Sequence, residues 1–175
     1  AALQPLVEAS QGRLRIIEGD ALDISVHEYG TPDQPVQIIA NLPYNIAPPL
    51  LIGWLDHISH FSSLTLMFQR EVAERIAASP NTGAFGRLSI ICQWLTETRH
   101  CFDIPPSAFV PPPKVTSSVV RLVPRQAPLF PAKQDTVQHV AKTAFNQRRK
   151  MLRASLKSLG GQQLLDQAGI SGEKR

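Results

Sequence analysis

The sequence has few cysteines and no long run of apolar residues. Only 2 of its 175 residues are Cys, too few for a zinc cluster or a disulfide framework. No apolar run approaches the roughly 20 residues that cross a bilayer, and the opening AALQPLVEAS lacks the pattern of a signal peptide. We therefore expect a reduced, cytoplasmic protein with no membrane partner.

The sequence also lacks His and Cys residues at the spacings that are typical of metal ligands. The histidines form no ligand spacing with one another or with the two cysteines, so we expect no metal and interpret them as surface or packing residues. These residues are His27, His57, His60, His100 and His139.

The composition is that of an ordinary globular protein with more basic than acidic residues. Apolar residues make up 43% of the chain and charged residues 18%, which predicts one domain or one domain with a small appendage. There are 18 Lys and Arg against 14 Asp and Glu, giving a net charge of +4. This charge mildly favours a polyanionic partner.

The first half of the chain alternates strand and helix patterns. Buried apolar runs predict strands at residues 14–17, 36–40 and 63–69, and the run at 36–40 barely alternates, so we expect it to be fully buried. Apolar residues at helical spacing predict helices at 50–58 and 70–78. This order is typical of an α/β protein with a parallel sheet and crossover helices.

The second half follows a different pattern. Residues 88–96 carry mixed helix and strand signals, and residues 115–124 read as a β-branched strand. Five prolines between Pro105 and Pro113 predict a stiff, extended loop before that strand. We expect a domain boundary near Ala127, between a catalytic part at residues 1–126 and a helical part at residues 127–175.

Two polar sequences follow the predicted strands, at the edge where ligands of an open parallel sheet bind. Asp20 and Ala21 follow the first strand, and from Asp20 alone a local cap and a ligand role are about equally expected. Asn41, Leu42, Pro43 and Tyr44 follow the second. An amide, a proline and a ring within four residues favour a functional corner over a simple turn.

This corner and the two residues that follow it, Asn45 and Ile46, resemble the catalytic motif of the S-adenosylmethionine-dependent rRNA adenine dimethyltransferases. Four further segments resemble the same family in the same order, and the last three favour its small-subunit rRNA branch. They are residues 18–21 (EGDA), 85–90 (FGRLSI), 105–122 (PPSAFVPPPKVTSSVVRL) and 144–156 (AFNQRRKMLRASL). The resemblance implies a Rossmann-like class I methyltransferase sheet followed by a small α-helical domain, with S-adenosyl-L-methionine as methyl donor.

The resemblance also implies roles for individual residues. Asn41 and the carbonyl of Leu42 would accept the two hydrogens of an adenine amine and orient its nitrogen towards the methyl group. Pro43 would fix the corner, and Tyr44 and Phe109 would stack on the two faces of the target base. Asp20 and Ala21 would lie at the adenine end of the cofactor, with Asn41 beside its methionine end.

A basic segment lies near the end of the chain, with no acidic residue between Thr136 and Asp166. This pattern favours a phosphate-facing surface. In a single helix four of the cations form one stripe, but Arg148 falls on the apolar side. That leaves open a break near Asn146 or an arginine at the domain interface. The predicted RNA-binding residues are Lys142, Arg148, Arg149, Lys150, Arg153 and Lys157.

The sequence departs from the family pattern at its start. The glycine-rich loop and the acidic residue that hold the methionine and ribose parts of the cofactor do not occur, and Phe85 stands where the family often has Tyr. We expect the chain to be part of a longer protein, truncated at both ends, whose incomplete pocket binds the cofactor poorly and is inactive alone.

The functional prediction is dimethylation of two adjacent adenosines in small-subunit rRNA, within a pre-ribosomal 30S-type particle, by a monomer. A DNA adenine methyltransferase is an alternative, although its corner usually has two prolines before the ring, and Leu42 argues against it. A large-subunit rRNA methyltransferase is a second alternative. A third is a non-catalytic rRNA-binding or assembly factor of the same fold, which the missing glycine-rich loop favours and the intact Asn41 and Tyr44 oppose.

Overall fold

A computed structural model of the chain describes residues 3–147 and 149–174, which form a four-stranded sheet with helices around it. The strands are β1 (Val36–Asn41), β2 (Phe61–Gln69), β3 (Thr96–Ile104) and β4 (Ser117–Pro124), in the order β1-β2-β4-β3. β1 pairs with β2 in parallel, whereas β4 runs antiparallel to both β2 and β3. The predicted α/β class is confirmed, with a mixed sheet.

Seven α-helices are described, and two prolines mark the beginning of the second. Pro48 and Pro49 lie in the first turn of the second helix, where no amide donor is missed, and that helix makes the crossover from β1 to β2. No helix among the described residues is long and apolar enough to cross a membrane. The helices are α1 (Gln4–Ala9), α2 (Ala47–Leu55), α3 (Arg70–Ile76), α4 (Arg87–Leu95), α5 (Gln134–Asn146), α6 (Leu152–Ser155) and α7 (Gly161–Gln167).

The core is centred on β2. Because β2 is paired on both edges, its backbone donors and acceptors are satisfied within the sheet, and its side chains are free to be apolar on both faces. Leu64 and Leu66 are fully buried, as is Leu51 on α2. The same cluster includes Trp94 on α4 and Val137 on α5, so the helical C-terminal part packs on the sheet layer.

Two predictions about the first strands are wrong. Residues 14–17 form no strand; they are exposed and pair with no described strand. β1 forms as predicted but alternates in burial, with Ile39 79% exposed. Within the described residues β1 pairs only with β2, so one of its edges and part of one face are uncovered.

The ambiguous segment 88–96 is a helix, and it passes directly into a strand that the sequence did not reveal. α4 ends at Leu95 and β3 begins at Thr96, whose hydroxyl donates to the carbonyl of Cys92 at 2.7 Å. The β3 sequence TETRHCFDI is largely exposed. Its pairing with β4, rather than an apolar pattern, defines it as a strand.

The C-terminal part begins with a linker that is hydrogen-bonded to α4. The indole of Trp94 donates to the carbonyl of Phe130 at 2.8 Å, and α5 follows at Gln134. Of the two alternatives that the position of Arg148 left open, the break near Asn146 is found, because α5 ends there. The domain boundary near Ala127 remains a prediction.

Three histidines are packed against one another at the other end of the sheet from the β1 corner. The rings of His27 and His57 stack with centroids 3.7 Å apart. His60 Nδ1 lies 3.0 Å and 2.9 Å from the carbonyls of His27 and Gly30, so this nitrogen carries the proton. No group of three or more His, Cys, Asp or Glu side chains within the described ranges could hold a metal ion.

The two cysteines should differ sharply in reactivity. Burial raises the pKa of the Cys92 thiol to about 12, whereas Cys101 is exposed on β3. Since the thiolate is the reactive form, iodoacetamide at mildly alkaline pH should modify Cys101 alone, as read by peptide mass spectrometry. Modification of Cys92 at a similar rate without denaturant would contradict this packing; labelling of both in denaturant is the control.

Candidate active site

The candidate site lies where β1 ends and β4 begins. Asn41, the last residue of β1, stands opposite Met67 on β2. The other edge of β2 places Gln69 opposite Ser117, the first residue of β4. Parallel pairing on one side and antiparallel pairing on the other therefore bring the motif and the end of the proline-rich loop to one edge of the sheet.

A tight turn converts β1 into α2. The amides of Ile46 and Ala47 both donate to the carbonyl of Pro43 at 3.1 Å, so the first helical turn forms on the proline itself. Pro43 fixes its own φ, and Leu42 packs partly buried against the core. Asn41 is left exposed, with Tyr44 half-buried beside it.

A hydrogen bond fixes the Tyr44 ring. Its hydroxyl lies 2.6 Å from the hydroxyl of Ser117, which is fully buried. The bond joins the corner to the start of β4, 73 residues away. Sequence reasoning missed Ser117, because nothing in TSSVV singles out one serine before the pairing of β2 and β4 is known.

The five predicted catalytic residues line one cavity of about 330 Å³. The structure thus brings Phe109 of the proline-rich loop to the corner after β1. A pocket of this size and mixed character is in the range of small-ligand sites. The lining residues are Asn41, Leu42, Pro43, Tyr44, Met67, Phe109, Pro111 and Pro113.

Two hydrogen-bond acceptors at this cavity have no partner among the described residues. Within the described part of the chain, neither the side chain of Asn41 nor the carbonyl of Leu42 takes part in a hydrogen bond. They belong to consecutive residues and both residues line the cavity. A ligand that offers two hydrogens from one nitrogen would satisfy both acceptors.

The predicted cofactor residues Asp20 and Ala21 do not line this cavity. Asp20 is exposed, and its Oδ1 accepts the Leu22 amide at 2.9 Å, the local turn that such a residue often makes. No described residue donates to its second carboxylate oxygen, Oδ2. Ala21 packs against the core.

A charged cluster anchors the neighbouring strand ends. Hydrogen bonds from Ser118, at 2.6 Å, and from His100, at 2.8 Å, together with the nearby Arg70 guanidinium, lower the pKa of Asp103. Asp103 on β3 pairs in register with Ser118 on β4, immediately after Ser117. The cluster therefore holds the start of β4 at the edge where Ser117 meets Tyr44.

The described RNA-binding candidates are exposed but do not form the single stripe expected of one helix. Lys142 lies on α5, Arg149 and Lys150 follow its end, Arg153 lies on α6, and Lys157 begins a short 3-10 turn. Arg148 lies outside the described residues.

An acidic residue from beyond the basic segment approaches these cations. Glu173 lies 4.0 Å from the Arg153 guanidinium, and the Arg153 amide donates to the carbonyl of Gly172 at 3.0 Å. The absence of acidic residues within the segment therefore does not leave Arg153 unpaired.

Comparison with known proteins matches this chain to one family. Residues 1–175 match the family model described as ribosomal RNA adenine dimethylase. The chain is 60% identical over 149 residues to ribosomal RNA small subunit methyltransferase A of Rhodospirillum rubrum, covering 85% of this chain and 51% of that protein. It is 50% identical to the protein of the same name from Rhizobium johnstonii, covering 99% of this chain and 64% of that one.

Solved structures agree on the fold. A dimethyladenosine transferase from Plasmodium falciparum superposes with a TM-score of 0.77 at 28% identity, covering 94% of this chain and 58% of that chain. The 23S rRNA methyltransferase ErmE superposes with a TM-score of 0.67 at 23% identity, covering 99% and 71%. The Rossmann-like methyltransferase fold is thereby confirmed, and the chain spans about half to two thirds of the length of its curated relatives.

The bond between Tyr44 and Ser117 should be measurable as a coupling. Tyr44→Phe leaves the buried Ser117 hydroxyl unpaired and should cost about 1–3 kcal/mol in the free energy of unfolding. In a urea-denaturation cycle, the double variant with Ser117→Ala should show a coupling of about 1 kcal/mol. Tyr29→Phe, at a ring 52% exposed, is the matched control; strictly additive Tyr44 and Ser117 changes would refute the bond.

Proposed function

Since the chain belongs to the ribosomal RNA adenine dimethylase family, we propose that it dimethylates the exocyclic amines of two adjacent adenosines in small-subunit rRNA, using S-adenosyl-L-methionine. The names of its relatives support the small subunit as the target. The partner we propose is a pre-ribosomal 30S-type particle in the cytoplasm, met by a monomeric protein that uses no metal. In this proposal residues 1–126 carry the chemistry and residues 127–175 face the RNA.

The observation that carries the proposal is the pair of free acceptors at the corner. The amine of adenine has two hydrogens on one nitrogen, and the Asn41 side-chain oxygen and the Leu42 carbonyl are available to accept one each. Accepting both hydrogens orients the nitrogen and favours a pyramidal geometry in which its lone pair is free to react. Orientation of a weak nucleophile is the main task in this reaction.

The cavity also suits a base that has left its stack. Tyr44 and Phe109 both line it, and a flat aromatic base gains about 1–3 kcal/mol from each ring on which it stacks. The hydroxyl of Ser117 fixes the Tyr44 ring, and the proline-rich loop stiffens the approach of Phe109. Both rings can therefore receive the base without a large ordering cost.

The residues present provide part of a binding site for the cofactor. Asp20 has a carboxylate oxygen without a partner among the described residues, and together with Ala21 it would hold the adenine end; Asn41 would lie beside the methionine end. When bound, S-adenosylmethionine supplies a sulfonium methyl group, a strong electrophile.

No residue at the cavity needs to act as a base. Tyr44 is the only ionisable residue among the described lining residues, and its hydroxyl is bonded to Ser117. Each methyl transfer leaves the amine nitrogen cationic with hydrogen still attached, and the nitrogen then releases one proton readily to water. In this proposal the protein contributes by binding the target base and orienting its amine.

The role of Asn41 can be tested against a matched control variant. In the complete protein, Asn41→Ala should reduce methyl transfer to unmethylated small subunits by about 10²–10³, the usual effect of removing one preorganised hydrogen-bonding group. Gln126→Ala, which removes an exposed side-chain amide from the segment after β4, should retain activity. Dimethyladenosine is measured by mass spectrometry of digested rRNA; full activity in Asn41→Ala would exclude the assignment.

A further inference from the structure

A groove runs between the segment that joins α3 to α4 and the chain that follows α5. It comprises three cavities of about 450, 360 and 440 Å³, all of them lined by Phe145. We name it the α4–α5 groove. It shares no lining residue with the cavity at Asn41–Tyr44.

The α4–α5 groove is positively charged. Four cations line it, namely Arg75, Arg87, Arg149 and Lys150, and none of the described lining residues is acidic. Of these cations, Arg75 is paired along its own helix with Glu71. The local excess of positive charge favours an anionic ligand.

Arg87 is the most informative of these residues. Its Nε atom is buried and has no hydrogen-bond partner, and no ion pair to its guanidinium is found in the described part of the chain. A buried charged donor without a partner is costly. Arg87 as a whole is only half-buried, at the wall of an open groove, so a negative partner from outside the chain can reach its guanidinium.

The surroundings of Arg87 reinforce its charge. Arg87 is the first residue of α4, and the first turn of this helix lines the same cavity. The Ser89 hydroxyl accepts the Gly86 amide at 3.0 Å and donates to the carbonyl of Arg75 at 2.5 Å, which fixes the helix start at the groove wall. The positive end of the helix dipole therefore adds to the guanidinium charge.

Aromatic rings accompany the cations. Phe85 and Phe145 meet edge to face with ring centroids 6.2 Å apart, and both are half-buried at the groove. A small inorganic anion would make no use of these rings. Rings interleaved with cations are the features that bind single-stranded nucleic acid without sequence preference.

We propose that the α4–α5 groove is a second RNA site, which takes a backbone phosphate of single-stranded RNA at Arg87 and an adjoining base against Phe145. The choice of RNA rests on the proposed function, because the strand in the groove would belong to the rRNA that presents the target adenosines. The α4–α5 groove would therefore bind the rRNA at a place separate from the bases that are methylated.

The test measures binding of a short fluorescein-labelled oligouridine by anisotropy over a range of salt concentrations. Arg87→Met keeps the length of the side chain and removes its charge; it should weaken binding about tenfold and reduce the slope of log affinity against log salt by about 0.7. Phe145→Leu should also weaken binding about tenfold but leave the slope unchanged. Arg121→Met, an equal loss of charge at an exposed position on β4, is the matched control.

The outcomes separate this proposal from the proposed function. Equal affinity in Arg87→Met and Arg121→Met, with unchanged melting temperatures, would overturn the groove site. Oligouridine offers no adenine amine, so Asn41→Ala should bind it as the unaltered protein does. If rRNA is not methylated but the Arg87 and Phe145 effects are found, the enzymatic proposal fails and the groove stands.

Discussion

The pairing of β2 with a parallel strand on one side and an antiparallel strand on the other determines where the groups of the site lie. Parallel pairing sets the end of β1 beside Met67, and antiparallel pairing sets the beginning of β4 beside Gln69. A slip of one residue in either register would turn the side chains of that strand to the opposite face. Ser117 would then no longer meet Tyr44. The buried apolar faces of β2 prevent such a slip, so the core that stabilises the sheet also positions the site.

The fold could be predicted where apolar pattern and burial agree. β2 and α2 were predicted close to their observed positions, because their apolar residues face the core in the expected periodicity. β3 was not, because its sequence is polar and only its hydrogen bonds to β4 define it. The segment at 14–17 carries a strand pattern but no paired neighbour in the described chain. Strand formation depends on a partner, which local sequence does not specify.

The site could be predicted as a set of residues but not as an arrangement. The motif and the family resemblance named the residues of the corner and Phe109, and the structure gathers them at one cavity. Ser117 and Arg87 lie in segments that the resemblance includes, but their individual roles could not be identified in advance, because these roles depend on contacts between segments far apart in sequence. A single basic stripe would require one continuous helix, but α5 ends at Asn146, so the turns of the chain set the positions of the cations that follow it.

In the proposed reaction, the corner after β1 accepts both hydrogens of an adenine amine. The most direct measurement is a crystal structure of the protein with S-adenosylhomocysteine and adenosine. We expect the adenine to lie between Tyr44 and Phe109, with its amine nitrogen about 2.7–3.2 Å from the Asn41 side-chain oxygen and the Leu42 carbonyl. An adenine bound with its amine pointing away from these two oxygens would disprove the role assigned to Asn41 and Leu42.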